Sequence, residues 1–285
     1  MRNASSESIS LNKSITGTVS AFKVFKATVL KDLIMGFRYK ENLISSVIAL
    51  FVRMLIFLVL SQAVLLQNRS EITTSAQLFV FFQGAIILFA FKGTALETPL
   101  RTISQDLYNG TLEFLYSNPI SRYAYYLGSV FSSVLINLPV FLPLYIFLVV
   151  TSGVSIINML MIILVCLAVF MCLTSFGVMI GLLGLLWKQI NSMTSLIDLA
   201  FEFLAGAYFP IVMYPKVIQF FAYLLPFTWG YDLIRYYSLS AWRTIFPVWI
   251  EWCILGVSVI FFFLLSRFLL ANVEKMAKKK GLNLI

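Results

Sequence analysis

Long apolar runs separated by short polar breaks fill most of the 285 residues. A helix crosses a bilayer with about 20 mostly apolar residues. Six stretches meet that length: 43–66, 77–96, 123–150, 156–187, 190–211 and 246–270. Three further segments follow neither the span nor the loop pattern. In residues 21–42, Phe22, Phe25, Val29, Leu33 and Phe37 recur every three or four positions, with Lys23, Lys26, Lys31, Arg38 and Lys40 among them. That pattern predicts a helix lying in the membrane interface and leading into the first span. An ordinary solvated helix with a basic face is the competing reading. Residues 213–239 are apolar but broken by Pro215 and Pro226, which predicts a re-entrant pair of short helices. Tyr223, Trp229, Tyr231, Tyr236, Tyr237 and Trp242 in and after that pair are expected at the outer interface, where amphipathic rings settle.

The third segment, Glu97 to Arg122, is too polar to cross a bilayer. Leu100, Ile103 and Leu107 fall on one face of a short helix. Asn109-Gly110 is a natural stop for it, because both residues tolerate a left-handed cap. Thr111 is placed to cap a second short helical piece, and Pro119 closes the segment. An amphipathic hairpin at a membrane surface has a shape suited to docking. Tying two spans together is the plainer alternative.

Composition agrees with the pattern. Hydrophobic residues make up 60% of the chain and charged residues 12%, against about 25% charged in soluble domains. The fold class is therefore an all-α membrane protein of six transmembrane helices, with an N-terminal interfacial helix, an inner helical hairpin and an outer re-entrant hairpin. Residues 1–20 and 272–285 are the expected tails, and 21–271 form the membrane domain, leaving no room for a separate soluble domain. Residues 1–20 lack the apolar core of a signal peptide. On the six-span topology, 16 of the 21 Lys and Arg residues fall on one side and 4 on the other, with Arg53 inside the first span. This asymmetry predicts cytoplasmic N- and C-termini, and a cytoplasmic Glu97–Arg122 segment, in a plasma (inner) membrane. The same bias accounts for the net charge of +9, so no nucleic acid partner is expected.

Arg53 is costly in mid-span, at about 2.5–3.5 kcal/mol on insertion scales, and such residues face the bundle interior. Asp198 and Glu202 in the fifth span share a face and are its candidate partners, with Asn191, Thr194 and Ser195 adding polarity nearby. Two readings stay open: a polar lining of a transport route, or an ion pair that only joins helices. Gly177, Gly181 and Gly184 have the small-residue spacing of a close helix contact. Phe79, Phe81, Phe82 and Phe89 read as core or lipid contacts. Cys166, Cys172 and Cys253 lie in apolar runs without metal-ligand spacing.

This layout resembles the ABC-2-type exporter permeases, the transmembrane subunits of type-2 ATP-binding-cassette transporters. The likeness rests on two motif groups in the matching topology. One is Gly110-Thr111-Leu112-Glu113 followed by Ser117-Asn118-Pro119-Ile120-Ser121-Arg122. The other is Gly206-Ala207-Tyr208-Phe209-Pro210, with Leu225-Pro226 and Asp232-Leu233-Ile234-Arg235 behind it. It covers essentially the whole chain after residue 20. The resemblance implies a permease that pairs with a second copy, as a homodimer or heterodimer, and that engages two copies of an ABC ATPase. In that role Leu100, Ile103, Leu107 and Tyr108 would supply apolar contact, with Arg101, Asp106 and Glu113 setting orientation by charge. The chain has no Gly-x-x-x-x-Gly-Lys-Ser/Thr loop. ATP and Mg are therefore expected in the partner, with no cofactor bound by this chain. It also lacks the large outer domain of some relatives, which argues against cargo handed to outer partners through such a domain.

Two other classes compete. A membrane-embedded enzyme is disfavoured because there is no histidine, which removes His-ligated zinc and Ser–His chemistry. An ion-driven secondary transporter is disfavoured because no inverted repeat is visible. The expected cargo is a small amphipathic molecule such as a drug, antibiotic or peptide. A lipid or lipid-linked glycan is the alternative.

Overall fold

The computed structural model describes residues 20–38, 41–63, 75–187, 203–240 and 242–280. Among these residues the chain forms ten α-helices and one 3-10 turn, with no strand. The helices are α1 (Ala21–Arg38), α2 (Glu41–Ala63), α3 (Ser75–Ala95), α4 (Glu97–Tyr108), α5 (Leu112–Ser117), α6 (Arg122–Ser152), α7 (Ile156–Trp187), α8 (Lys216–Leu224), α9 (Pro226–Ser238) and α10 (Val248–Lys280). The 3-10 turn is Ile211–Met213.

Four segments are long and apolar enough to cross a membrane: Ala76–Tyr108, Arg122–Ser152, Ile156–Gly184 and Val248–Val273. The pair α8–α9, bent by 93°, counts as a fifth if taken as one span. Two short helices with a bend between them match the break expected at Pro215 and Pro226. Pro226 cannot continue α8 as a central helix residue, yet suits the first position of α9. Within α2, the first expected span, Val47–Val59 is apolar. Of the fifth expected span, residues 190–202 lie outside the described residues.

α3 and α4 run on as one rod. Leu96 between them has helical angles, and its N–H bonds to the Lys92 carbonyl at 2.9 Å. Buried Pro99 has no N–H to return to the preceding turn, which explains the interruption of regular helix at Leu96. At 1.5 Å per residue this rod is about 50 Å long, well beyond the roughly 30 Å of hydrocarbon in a bilayer. Its polar α4 end therefore projects.

Contacts along the rod set the other directions. Phe57 of α2 stacks on Phe82 at 4.6 Å, and Arg53 lies over Phe89 at 4.3 Å. As α2 is followed backwards, α3 is followed forwards, so the two are antiparallel. α7 meets the rod through glycine: a Cβ on Gly177 would lie 2.6 Å from the Leu96 carbonyl oxygen, and one on Gly181 2.6 Å from Ile103 Cδ1. The small-residue contact predicted for this helix is thus made against α3–α4. α9 wedges between α3 and α7, with Gly84 facing Ile234 and Gly230 facing Val169.

This wedging covers three of the six aromatics expected at the outer interface. Trp229, Tyr231 and Tyr237 are buried. Tyr231 packs 6.4 Å from Phe89, deep beside the second span, and Trp229 stacks on Tyr223 at 5.7 Å. Their amphipathic chemistry would suit an interface, but α9 turns that face into protein. Phe81, Phe82 and Phe89 are likewise core residues.

α1 is described as far as Arg38, and residues 39–40 of the expected 21–42 helix lie outside the described residues. It packs along the first half of α6: Thr28 lies against Gly128, Gly36 against Ile136, and Ser132 Oγ donates to Asp32 Oδ2 at 3.5 Å. Each pair is offset by the same amount, so α1 and α6 are parallel and in register. The packed stripe is Val24, Thr28, Asp32 and Gly36, with Phe25 at 5.5 Å from Phe131. Of the expected apolar face, Phe25, Val29 and Leu33 are half-buried, and Phe22 and Phe37 are exposed.

Candidate partner-docking turn

The turn between α4 and α5 is built from its hydrophobic stripe outward. Leu100 and Ile103 are buried against α7, and Ile103 shares a cluster with Leu112, Leu115, Tyr123, Tyr126, Val178 and Leu182. Two helix ends are thereby pinned to the body by apolar contact, and hydroxyl pairs add to it. Thr98 Oγ1 donates to Ser133 Oγ at 3.1 Å, and Thr102 Oγ1 lies 3.3 Å from Ser129 Oγ. α4 stops as the sequence predicts. The Asn109 N–H closes on the Gln105 carbonyl, and Gly110 has φ +70°, a conformation that costs glycine nothing.

Thr111 departs from its expected part. Its hydroxyl makes no cap to α5. It donates instead to Asp106 Oδ1 at 3.0 Å, and the Tyr125 hydroxyl donates to the same oxygen at 3.3 Å. Asp106 thus joins the end of α4, the start of α5 and the start of α6. Lys31 of α1 lies 5.2 Å over the Tyr125 ring and forms an ion pair with Asp32 at 3.2 Å. The turn and α1 therefore meet on the two sides of one tyrosine. Arg122, buried, donates through Nη2 to the Asn118 carbonyl at 3.3 Å and holds the exit of the turn.

The seven residues expected to face a partner are divided by this geometry. Leu100 and Ile103 lie in the core and anchor the helix, so they present nothing outward. Asp106 Oδ1 accepts two internal hydrogen bonds, and Leu107 is half-buried beside the same cluster. Arg101 is exposed, and Tyr108 is 74% exposed. Glu113 lies in α5, and its side chain is outside the described residues. Phe114, not singled out from the sequence, is 75% exposed. The signal for it was present: Leu112 and Leu115 bracket it, and both point inward. The tip is therefore a rigid turn displaying Tyr108 and Phe114, with Arg101 on the flank.

The second candidate region surrounds Arg53. Its expected partners Asp198 and Glu202, with Asn191, Thr194 and Ser195, lie outside the described residues. Among the described residues its guanidinium lies over Phe89, in a group where Tyr208 stands 5.8 Å from Phe57 and 5.9 Å from Phe89. Lys92 is buried one turn along α3, 5.9 Å from the same Phe89 ring, and lines a small pocket with Leu88, Val169, Leu173, Phe227 and Tyr231.

A third group escaped sequence reasoning because it is assembled by folding. Asp232 Oδ1 accepts from Trp242 Nε1 and Oδ2 from the Ile245 N–H, both at 2.8 Å. Glu251, wholly buried in α10, accepts from the Phe246 N–H at 3.0 Å. Two acids on different helices thus strap the same loop. Arg235 lies 3.5 Å over Phe81 and donates to the Ala207 carbonyl at 3.0 Å, tying α9 to the Gly206–Pro210 segment.

The family model described as ABC-2 type transporter matches residues 23–239. That range runs from within α1 to the end of α9 and includes the α4–α5 turn and the bent α8–α9 pair. No single curated protein matches the chain.

Proposed function

The chain belongs to the ABC-2 type transporter family as a membrane permease subunit, and from that premise we propose that it forms an ATP-driven exporter by pairing with a second permease copy and two ATPase subunits. The α4–α5 turn is the docking element. What supports this is the exposure of two large aromatic side chains, Tyr108 and Phe114, on a turn that buried Leu100, Ile103, Leu112 and Leu115 and the hydrogen bonds to Asp106 hold in place. Exposed aromatics are characteristic anchors of protein interfaces, and a pre-organised tip loses little entropy on docking. ATP and Mg belong to the partner. The topology is six spans with both termini and the docking turn cytoplasmic in the inner membrane, and the charge asymmetry carries that orientation.

The cargo is a small amphipathic molecule. Arg53 beside Phe89, Phe57 and Tyr208 supports a route wall that is both charged and aromatic, with Asp198 and Glu202 its acidic side. Two experiments bear on these claims. The Tyr108→Asp, Phe114→Asp double variant should lose co-purification with its ATPase partner while keeping the thermal unfolding profile of the wild type. Intact co-purification would remove the turn from the interface. Separately, Asp198→Asn and Glu202→Gln should each lower export with ATPase binding unchanged, and unaltered export in both would exclude them from the route.

A further inference from the structure

The outward side of α1 carries a second ordered pattern. Lys23, Lys26, Leu30, Ile34 and Phe37 follow at i, i+3, i+7, i+11 and i+14, which is one stripe of a helix. All five are exposed. It lies opposite the Val24, Thr28, Asp32 and Gly36 stripe that packs on α6. The stripe is segregated along its length: two lysines occupy the first half, and three large apolar side chains the second. The parallel register with α6 gives that order a direction. Lys23 and Lys26 stand level with the docking-turn end of α6, and Phe37 stands level with Ile136, farther along the span.

We infer that this stripe is a binding surface for anionic phospholipid of the inner leaflet, with the phosphate at Lys23 and Lys26 and an acyl chain along Leu30, Ile34 and Phe37. A solvated helix would leave the apolar half in water. A helix lying flat in the interface would present basic and apolar residues on different sides rather than at different heights. Charge below and hydrocarbon above, on one exposed stripe, match a lipid standing upright beside the helix. The assignment rests on the proposed orientation, which puts the docking-turn end in the cytoplasm. Basic residues near an anionic surface contribute about 1 kcal/mol each, or roughly 5-fold in affinity.

The test uses the full chain in neutral detergent, equilibrated with equal amounts of phosphatidylglycerol and phosphatidylcholine, with retained lipids counted by native mass spectrometry. The wild type should retain phosphatidylglycerol in preference. The Lys23→Ala, Lys26→Ala variant should lose that preference by about 5-fold per lysine, and the Lys23→Arg, Lys26→Arg variant should keep it. Lys216→Ala, at the start of α8, should change nothing. The inference is overturned if the wild type shows no preference, or if the alanine pair matches it. It is also overturned if the alanine pair loses ATPase binding with lipid preference unchanged, which would make the stripe a protein contact. Lipid retention needs no ATPase, so this result is independent of whether the docking turn performs as proposed.

Discussion

Asp106 shows how much one side chain can fasten. Its Oδ1 accepts from Thr111 and Tyr125, and so binds together three helix ends. Hydrogen bonds to a charged acceptor contribute about 1.5–3 kcal/mol. Tyr125→Phe, which keeps the ring under Lys31 but removes the hydroxyl, should lower stability by about 1–2 kcal/mol in thermal unfolding of the purified chain. Unchanged unfolding would mean that the hydroxyl contact contributes nothing. The original expectation gave Asp106 to a partner, with Leu100 and Ile103. Periodicity shows which residues share a face. It does not show whether that face meets the same chain or another one, and here the apolar face of α4 is satisfied internally by α7.

Among the helices, the α7 contact is the most sharply constrained. Gly177 faces main chain at Leu96, whereas Gly181 faces the mobile end of Ile103. Backbone cannot step aside as a methyl group can, so the two glycines should respond differently to the same added carbon. Gly177→Ala should cost about 1–3 kcal/mol and Gly181→Ala less, by the same unfolding measurement. Equal costs would contradict the packing. Helix existence, the glycine contact, the stop at Asn109-Gly110 and the α8–α9 bend were all legible in the sequence, because each follows from local chemistry: apolar run length, small-residue spacing, a left-handed residue, a proline. The burial of Trp229, Tyr231 and Tyr237, and the meeting of Asp232 with Glu251 around one loop, were not. Both depend on how α9 is wedged between α3 and α7, and residue spacing along a chain carries no record of that.

Taken whole, the molecule is a set of apolar helices clasped around one element that crosses it from end to end. Family membership follows from the 23–239 match, and the same range holds the exposed aromatic tip, the outward stripe of α1 and the bent α8–α9 pair. Asp232 and Glu251 hold one loop from two helices, so Glu251→Leu, which leaves the Phe246 N–H without its acceptor, should loosen the link between α9 and α10. Proteolysis of the reconstituted chain within residues 239–247 should then quicken, and an unchanged rate would show that the strap is dispensable.

The α3–α4 rod has a mechanical meaning beyond its packing. Its main chain comes closest to α7 at Leu96, opposite Gly177, and in the proposed cycle that point would serve as a fulcrum nearer one end than the other. The arm from Leu96 to Tyr108 is about 18 Å and the arm from Leu96 to Ala76 about 30 Å. In the proposed cycle, a push of about 3 Å at the docked tip would swing the far end about 5 Å in the opposite direction. Such a lever reverses and enlarges the stroke, so that an inward tug at one surface opens a gap at the other. In that proposed cycle, transport would depend on stiffness at the pivot. Softening it with Thr94→Gly and Ala95→Gly should leave the ATPase bound and hydrolysing while export falls, and full export from that variant would show that the rod does not work as a lever.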